Sequence, residues 1–150
     1  MNRVRPVFLL LAALLGTLLA QPAGTNQTVR FQAVDIFVDS KEVPLAAYQL
    51  EFSVKNSDVK VVGVEGGEHP AFKDAPFYDP KAIQQERVII AAFNTAAADQ
   101  LPKAKTRVAT IHLQILSEPP PQYALTLQAA ATVDGGKIAA EVTFEERKPK

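Results

Sequence analysis

The sequence predicts an all-β protein, an antiparallel sandwich of two sheets with about seven to nine strands. The stretch "LAAYQLEFSV" (residues 45–54) alternates apolar and polar residues strictly, as a half-buried strand does. Similar short runs recur along the chain between clusters of Pro, Gly, Asn and Asp. Helical periodicity is almost absent. Since a single sheet would leave its apolar face in water, two sheets must pack on each other.

The first 20 residues are typical of a signal peptide rather than of the folded domain. Arg3 and Arg5 form a short positive segment, and residues 7–20 are almost continuously apolar. This run of about 14 residues is shorter than the ~20 that a spanning helix needs. Cleavage after Ala20 or near Ala23 would leave a flexible leader, residues 21–27; an uncleaved membrane anchor is the alternative.

The composition indicates the compartment and excludes one class of partner. The chain has no cysteine, so it is not a lipoprotein, and we expect a secreted or periplasmic protein with no transmembrane segment after signal cleavage. Of 16 basic and 16 acidic residues, removal of Arg3 and Arg5 leaves 14 against 16, a net charge of −2. A nearly neutral surface argues against nucleic acid as a partner. One domain, residues 28–146, must be stabilised by packing rather than by disulfides.

Seven runs justify the predicted strands in order. They are residues 29–39, 46–54, 59–64, 88–93, 106–116, 125–133 and 138–145. The first changes phase between Ala33 and Val34, which indicates a β-bulge or a strand that changes sheet. A second change falls at Val61 and Val62. In residues 106–116, we expect the odd-numbered residues from Ala109 to face inward and the even-numbered ones outward.

The segments between the strands carry turn signals. Residues 65–86 form one long loop, in which Asp79 and Pro80 are suited to cap and begin a short helical turn. Residues 117–122 contain three consecutive prolines, which cannot donate sheet hydrogen bonds. Residues 134–136, "DGG", are a hairpin signal. Residues 147–150 are a charged tail.

The sequence does not point to an enzyme. No serine lies in a nucleophile-elbow context, and His69 and His112 are the only histidines. His112 is expected on an outward strand face as a solvated side chain, and His69 as a cap in the Gly- and Pro-containing loop. No pair of carboxylates marks a glycosidase.

No cofactor is expected, although two acidic groups suggest calcium as a less favoured alternative. Asp35, Asp39 and Glu42 could converge near one end of a sheet, since the two aspartates share a strand face. Outward acids that protect an edge strand are the preferred explanation. The second group borders the long loop and comprises Glu65, Glu68, Asp74 and Asp79.

Three aromatic residues cluster in the long loop. Phe72, Phe77 and Tyr78 lie within seven residues and follow no core period. Exposed, they could stack on sugar rings or anchor a protein partner, with His69 beside them. The preferred explanation is that the loop folds back and its rings fill the mouth of the sandwich.

The order of these segments resembles that of cohesin-like domains, within the carbohydrate-binding and cohesin β-sandwich superfamily. The residues that carry the resemblance are "VDIFVDS", "LAAYQLEFSV", "VKVVGVEGGE", "RVIIAAFN", "LPKAKTRVATIHLQI" and "ATVDGGKIAAEVTFE". The resemblance implies a jelly-roll-like or immunoglobulin-like sandwich that binds rather than catalyses. Cohesins bind a partner module through one sheet face, and their relatives bind polysaccharide.

Two functions follow as expectations. The first is an extracellular protein-interaction module that binds an extracytoplasmic protein through an outward face. That face would be either Thr110, His112 and Gln114 with Val108, or Ala47, Gln49, Glu51 and Ser53. The second is a carbohydrate-binding module that uses the aromatic residues of the long loop.

Overall fold

The computed structural model describes residues 29–55, 58–116 and 118–148. The predicted signal peptide, the leader, part of the turn after the second strand and the end of the charged tail lie outside these residues. The strands are β1 (Arg30–Asp39), β2 (Ala47–Lys55), β3 (Val59–Gly66), β4 (Phe77–Tyr78), β5 (Arg87–Phe93), β6 (Lys105–Ile115), β7 (Gln122–Ala131) and β8 (Glu141–Glu146). Within the described residues, no helix has the length and hydropathy needed to cross a membrane.

The strands form two antiparallel four-stranded sheets, which confirms the predicted two-sheet sandwich. Sheet A has the order β3-β6-β1-β8, and sheet B has the order β4-β5-β2-β7. Successive strands alternate between the sheets, except that β4 and β5 are neighbours in sheet B. The first and last strands, β1 and β8, pair with each other in sheet A.

The core lies between the sheets and consists of alternate residues of the central strands. Ile36 of β1, Leu50 and Phe52 of β2, and Ile111 and Leu113 of β6 are completely buried. Burial of each such side chain contributes about 1.5–3 kcal/mol to folding. The phases predicted for residues 45–54 and for the second half of β6 are confirmed.

β6 contains a β-bulge that the sequence analysis missed. Ile36 pairs with Ala109 and Phe37 pairs with Arg107, so Val108 is an extra residue in the ladder. Val108 and Ala109 are both completely buried. The expected outward position of Val108 is therefore wrong, because the extra residue reverses the phase of the strand before it.

Tyr48 of β2 crosses the core to this bulge. Its hydroxyl donates a hydrogen bond of 3.1 Å to the carbonyl oxygen of Val108. Burial raises the pKa of Tyr48 far above its ordinary value, so the phenol remains a neutral donor. The bond joins sheet B to sheet A where the β6 ladder is irregular.

The two predicted phase changes have different outcomes. Val61 of β3 pairs with Leu113, and Gly63 pairs with His112, the adjacent residue of β6. Val62 is therefore an extra residue in β3, and the predicted irregularity there is confirmed. In contrast, β1 is one continuous strand and does not change sheet. Its apparent phase change arises because Phe31 is apolar yet 69% exposed on the outer side.

The later strands also differ from the prediction. Alternation from Leu125 and Leu127 predicts that Ala129 lies on the same side, but β7 has an extra residue at Gln128, and consequently Ala130 is buried instead. The turn at residues 134–136 forms as predicted, with Gly135 at a positive φ of 85°. β8 nevertheless begins only at Glu141, because residues 137–140 make a single bridge to β7 instead of a continuous hairpin.

We expect the substitution Tyr48→Phe to lower the free energy of unfolding by about 1–2 kcal/mol, because it removes a buried hydrogen bond and leaves a carbonyl without its donor. Urea unfolding measures this change. Tyr123→Phe is the matched control, since among the described residues the buried Tyr123 hydroxyl has no hydrogen-bond partner. Equal destabilisation by the two substitutions would contradict the role assigned to Tyr48.

Candidate functional site

The outer surface of sheet B, which we call face B, carries the most distinctive exposed side chains. On β2, face B is formed by Ala47, Gln49 and Glu51, which alternate with the buried residues of the strand. These three residues pair with Phe93, Ala91 and Ile89 of β5, which therefore lie on the same face. Face B is defined by these six residues together with Phe77 of β4, Arg87 of β5, and Gln128, Ala129 and Ala131 of β7.

Two phenylalanines project from face B. Phe77 is 70% exposed and Phe93 is 66% exposed. Their rings are nearly parallel, with an interplanar angle of 12° and centroids 6.2 Å apart. The pairing of Phe77 with Ala91 places the short strand β4 beside β5 and so brings the two rings together. Grouped exposed aromatic side chains of this kind mark interaction surfaces.

Two connected depressions lie beside the phenylalanine pair. The first has a volume of about 250 Å³ and a floor of small side chains: Ala47, Ala91, Ala129 and Ala131. The second is an open groove of about 620 Å³ that continues past Tyr78 and Lys81 to Arg87. Phe77 lines both. The apolar hollow and the more polar groove therefore form one surface.

A row of hydrogen-bonded polar side chains crosses face B. Arg87 donates from Nε and Nη2 to the two carboxylate oxygens of Glu51, at 2.8 and 2.7 Å. Gln128 donates to Glu51 at 3.3 Å, and Gln49 donates to Gln128. The hydrogen bonds from Arg87 hold the pKa of Glu51 below its ordinary value. The row is exposed, so it orients polar groups more than it stabilises the fold.

Two glycines set the course of the long loop. A Cβ at Gly66 would lie 2.0 Å from the carbonyl oxygen of Lys73, and one at Gly67 would lie 2.3 Å from that of Arg107. The amide of Gly67 donates to the carbonyl of Phe72 at 2.7 Å. Only glycine allows this close approach of backbones, which turns the loop back over the core.

The loop separates the three predicted aromatic residues. Phe72 is 3% exposed and packs edge-on against Tyr48, with centroids 5.3 Å apart. The assignment of Phe72 to a ligand site is therefore wrong, and the preferred expectation that loop rings fill the sandwich holds for it. Tyr78 is half-buried in the groove, whereas Phe77 is exposed.

His69 has a local structural role. Its Nδ1 accepts a hydrogen bond of 3.1 Å from the amide of Ala71, so it caps the 3₁₀ segment Pro70–Phe72. It lines a different depression from Phe77, next to Asn94 and Gln100. Asp79 likewise caps the segment Pro80–Ala82, as predicted, by accepting from the amide of Lys81 at 2.9 Å.

The outer surface of sheet A, which we call face A, is covered near its centre by two arginines. Asp35 accepts a hydrogen bond of 2.6 Å from Thr110 and one of 2.8 Å from Arg147. Arg107 donates to the Thr110 hydroxyl at 2.9 Å, and its Nε lies 3.9 Å from Asp35. Burial acts to raise the pKa of Asp35, but the hydrogen bonds from Arg147 and Thr110 and the arginine charges lower it overall.

The partner face predicted on β6 is therefore not open. Thr110 is completely buried under the arginines, which contradicts its expected exposure. His112 and Gln114 are half-buried. His112 Nε2 lies 3.0 Å from Glu65 Oε1, within ion-pair distance, but it has no hydrogen-bond partner among the described residues. By contrast, the alternative face with Gln49 and Glu51 is the open face B.

The structure does not bring together the predicted calcium ligands. Asp35 is held by arginines, Asp39 accepts from the amide and the Nζ of Lys41, and Glu42 lies apart on an exposed turn. In the second acidic group, Glu68 accepts a hydrogen bond from the amide of Arg107, and Asp79 accepts one from the amide of Lys81. In the described ranges, no three acidic or histidine side chains are placed to hold a metal ion.

Sequence reasoning missed Phe93, Ile89 and Gln128. Residues 88–93, "VIIAAF", are apolar on both sides, the pattern of a central strand covered on both faces or of a strand that crosses the core. One side of β5 is instead open, with Phe93 exposed. Ile89, Ala91 and Phe93 are alternate residues of the strand and therefore share one face, which could have marked them as a group. Alternation alone does not show whether another layer of the protein covers that face.

No protein-family model, curated protein or solved structure matches the chain. The class that the structure defines is an antiparallel two-sheet β-sandwich with one open outer face. The cohesin-like assignment remains a prediction from the sequence.

The Asp35 network predicts a specific loss of stability in acid. Because the folded pKa is lowered, Asp35 contributes stability above its unfolded pKa of about 3.9 and loses it as the pH falls through the folded pKa. Asp35→Asn is expected to be less stable at neutral pH and to lose less stability between about pH 5 and pH 2. Urea midpoints measured across this range test the prediction, and parallel pH profiles for the two proteins would contradict it.

Proposed function

We propose that the protein is an exported, non-catalytic binding module of cohesin-like type that binds another extracytoplasmic protein through face B. The exposed pair of Phe77 and Phe93 beside the alanine-floored hollow is the observation that carries the proposal. Large apolar side chains at this degree of exposure are costly to leave in water and gain free energy when a partner covers them.

The arrangement of face B supports a protein partner. A central apolar hollow surrounded by polar side chains reproduces the usual organisation of a protein interface. The hydrogen-bonded row from Gln49 to Arg87 supplies oriented donors and acceptors at its margin. The alanine floor leaves room for side chains of the partner, because its own side chains are short.

The linings of the two depressions support binding rather than catalysis. In the described part of the chain, their linings contain no serine, threonine or histidine that could act as a nucleophile or an imidazole base. Asp79 and Glu86 are the carboxylates of these linings, and that of Asp79 caps a 3₁₀ segment; the carboxylate of Glu51, on the adjoining part of face B, is held by Arg87.

A second candidate function is polysaccharide binding by the same face. Sugar rings stack on exposed aromatic rings, and amide side chains hydrogen-bond their hydroxyls. Phe77 and Phe93 have parallel rings, and Gln49 lies in the adjoining hollow. This candidate places the sugar on Phe93 as well as on the loop, whereas Phe72 takes no part.

We expect Phe77→Ala and Phe93→Ala each to weaken partner binding at least tenfold, which corresponds to about 1.4 kcal/mol or more. Pull-down from the extracytoplasmic fraction identifies the partner, and titration calorimetry with that partner measures the change. Phe31→Ala is the matched control, because Phe31 is 69% exposed but lies on sheet A. Equal losses for all three variants, or no specific partner, would contradict the proposal.

Co-sedimentation with a panel of insoluble glycans and affinity electrophoresis with soluble ones separate the two candidates. Binding to one glycan that Phe93→Ala abolishes and Phe31→Ala preserves would favour the polysaccharide function. Absence of binding across the panel, together with a specific protein partner, would favour the protein function.

A further inference from the structure

The four edge strands of the sandwich differ in how they are protected against pairing with another strand. β3 and β8 are the edges of sheet A, and β4 and β7 are the edges of sheet B. An edge strand presents backbone N–H and C=O groups that another chain can bind. Proteins usually protect such edges with charged side chains, bulges, prolines or very short strands.

Three of the four edges carry this protection. β8, with the sequence "EVTFEE", has three glutamates among six residues. β3 contains Lys60, Glu65 and the bulge at Val62. β4 is only two residues long and is soon followed by Pro80. None of these edges is suited to accept a long strand from another molecule.

β7 is different, because its ten residues, "QYALTLQAAA", include no charged residue and no proline. Its C-terminal end is already occupied, since Ala131 forms a bridge with Lys137 and the amide of Ile138 donates to Ala130 at 2.9 Å. The bulge at Gln128 interrupts the ladder before that point. In the part of the chain that the structure describes, no strand pairs with the outer side of residues 123–127.

The side chains of this segment are incompletely buried. Tyr123, Leu125 and Leu127 point towards the core and pack against it, yet each remains half-buried at the margin of sheet B. A further strand along residues 123–127 would cover their exposed flanks. Backbone pairing and apolar burial would then act together.

We propose that β7 pairs antiparallel with β7 of a second copy of this chain, about a two-fold axis, so that sheet B continues across both molecules. Charge favours this occupant. In a two-fold pairing each strand faces itself, so any charged residue near the axis would meet a like charge. β7 has none, whereas β8 paired with itself would oppose its glutamates.

The neighbouring edge predicts how the dimer responds to salt. β8 lies beside β7, since Phe144 packs edge-on against Tyr123 with centroids 5.4 Å apart. Of its glutamates, Glu141 lies 3.2 Å from Lys41 and Glu145 lies 2.7 Å from Lys105, which reduces the negative charge near the interface. Moderate salt screens the remaining repulsion, so association should strengthen as salt is raised.

Sedimentation equilibrium of the purified protein tests the proposal. The average mass should rise from one chain towards two with increasing concentration, more readily at moderate salt than at low salt. Thr126→Lys should abolish the rise, because it places two charges across the axis on an exposed position of β7. Thr95→Lys is the matched control on an exposed loop and should leave the dimer intact. Circular dichroism and urea unfolding verify that both variants are folded.

Single-cysteine variants then locate the contact, because the chain has no cysteine of its own. Opposed residues of antiparallel strands have Cα atoms about 4.5–5.5 Å apart, within the range that a disulfide spans. In a two-fold pairing of residues 123–127, Ala124 of one copy opposes Thr126 of the other. We therefore expect an equimolar mixture of the Ala124→Cys and Thr126→Cys variants to form mixed disulfide dimers under mild oxidation, and Lys60→Cys on β3 to form none. A monomer at all concentrations, or cross-linking by Lys60→Cys alone, would overturn the proposal. Neither result would affect the proposed role of face B, whose side chains lie perpendicular to this edge.

Discussion

The structure depends on a single apolar layer, formed where alternate residues of the two sheets meet. Leu50 and Phe52 of sheet B and Ile36 and Ile111 of sheet A are completely buried in it. The chain contains no disulfide, and its ion pairs lie mainly on the outer surfaces, so this layer supplies most of the stability. The bulge at Val108 and the hydroxyl of Tyr48 are adjustments that allow the two sheets to meet without leaving a buried carbonyl unpaired.

The two outer faces have opposite characters, although the same alternation generates both. At the centre of face A, guanidinium groups of Arg107 and Arg147 cover Asp35 and Thr110, and the side-chain oxygens of Asp35 and Thr110 all have hydrogen-bond partners. Among the described residues, no comparable side chains cover Phe77 and Phe93 on face B. A surface whose hydrogen bonds are satisfied internally gains little from a ligand, whereas exposed apolar rings gain free energy when covered. Face B is therefore the better candidate for recognition.

Strict alternation made the sandwich and most of the core predictable, because a strand with one buried face allows only one phase. Phase was not predictable at Val108, where two neighbouring apolar residues fit either parity. The burial of Thr110 depends on Arg147, which is 37 residues away in sequence, and no local sequence pattern predicts a contact between such distant residues. The exposure of Phe93 was unpredictable for a related reason, because the presence of an apolar residue in a strand does not show whether another layer of the protein covers it.

The pairing of β1 with β8 has a practical consequence for how this molecule is handled and displayed. Both strands belong to sheet A, and Val34 pairs with Glu146 close to the end of β8. Fusion tags or surface linkages attached beyond these strands leave the domain from sheet A. Such attachments add no chain to β4 and β5, the strands of the other sheet that carry the phenylalanine pair.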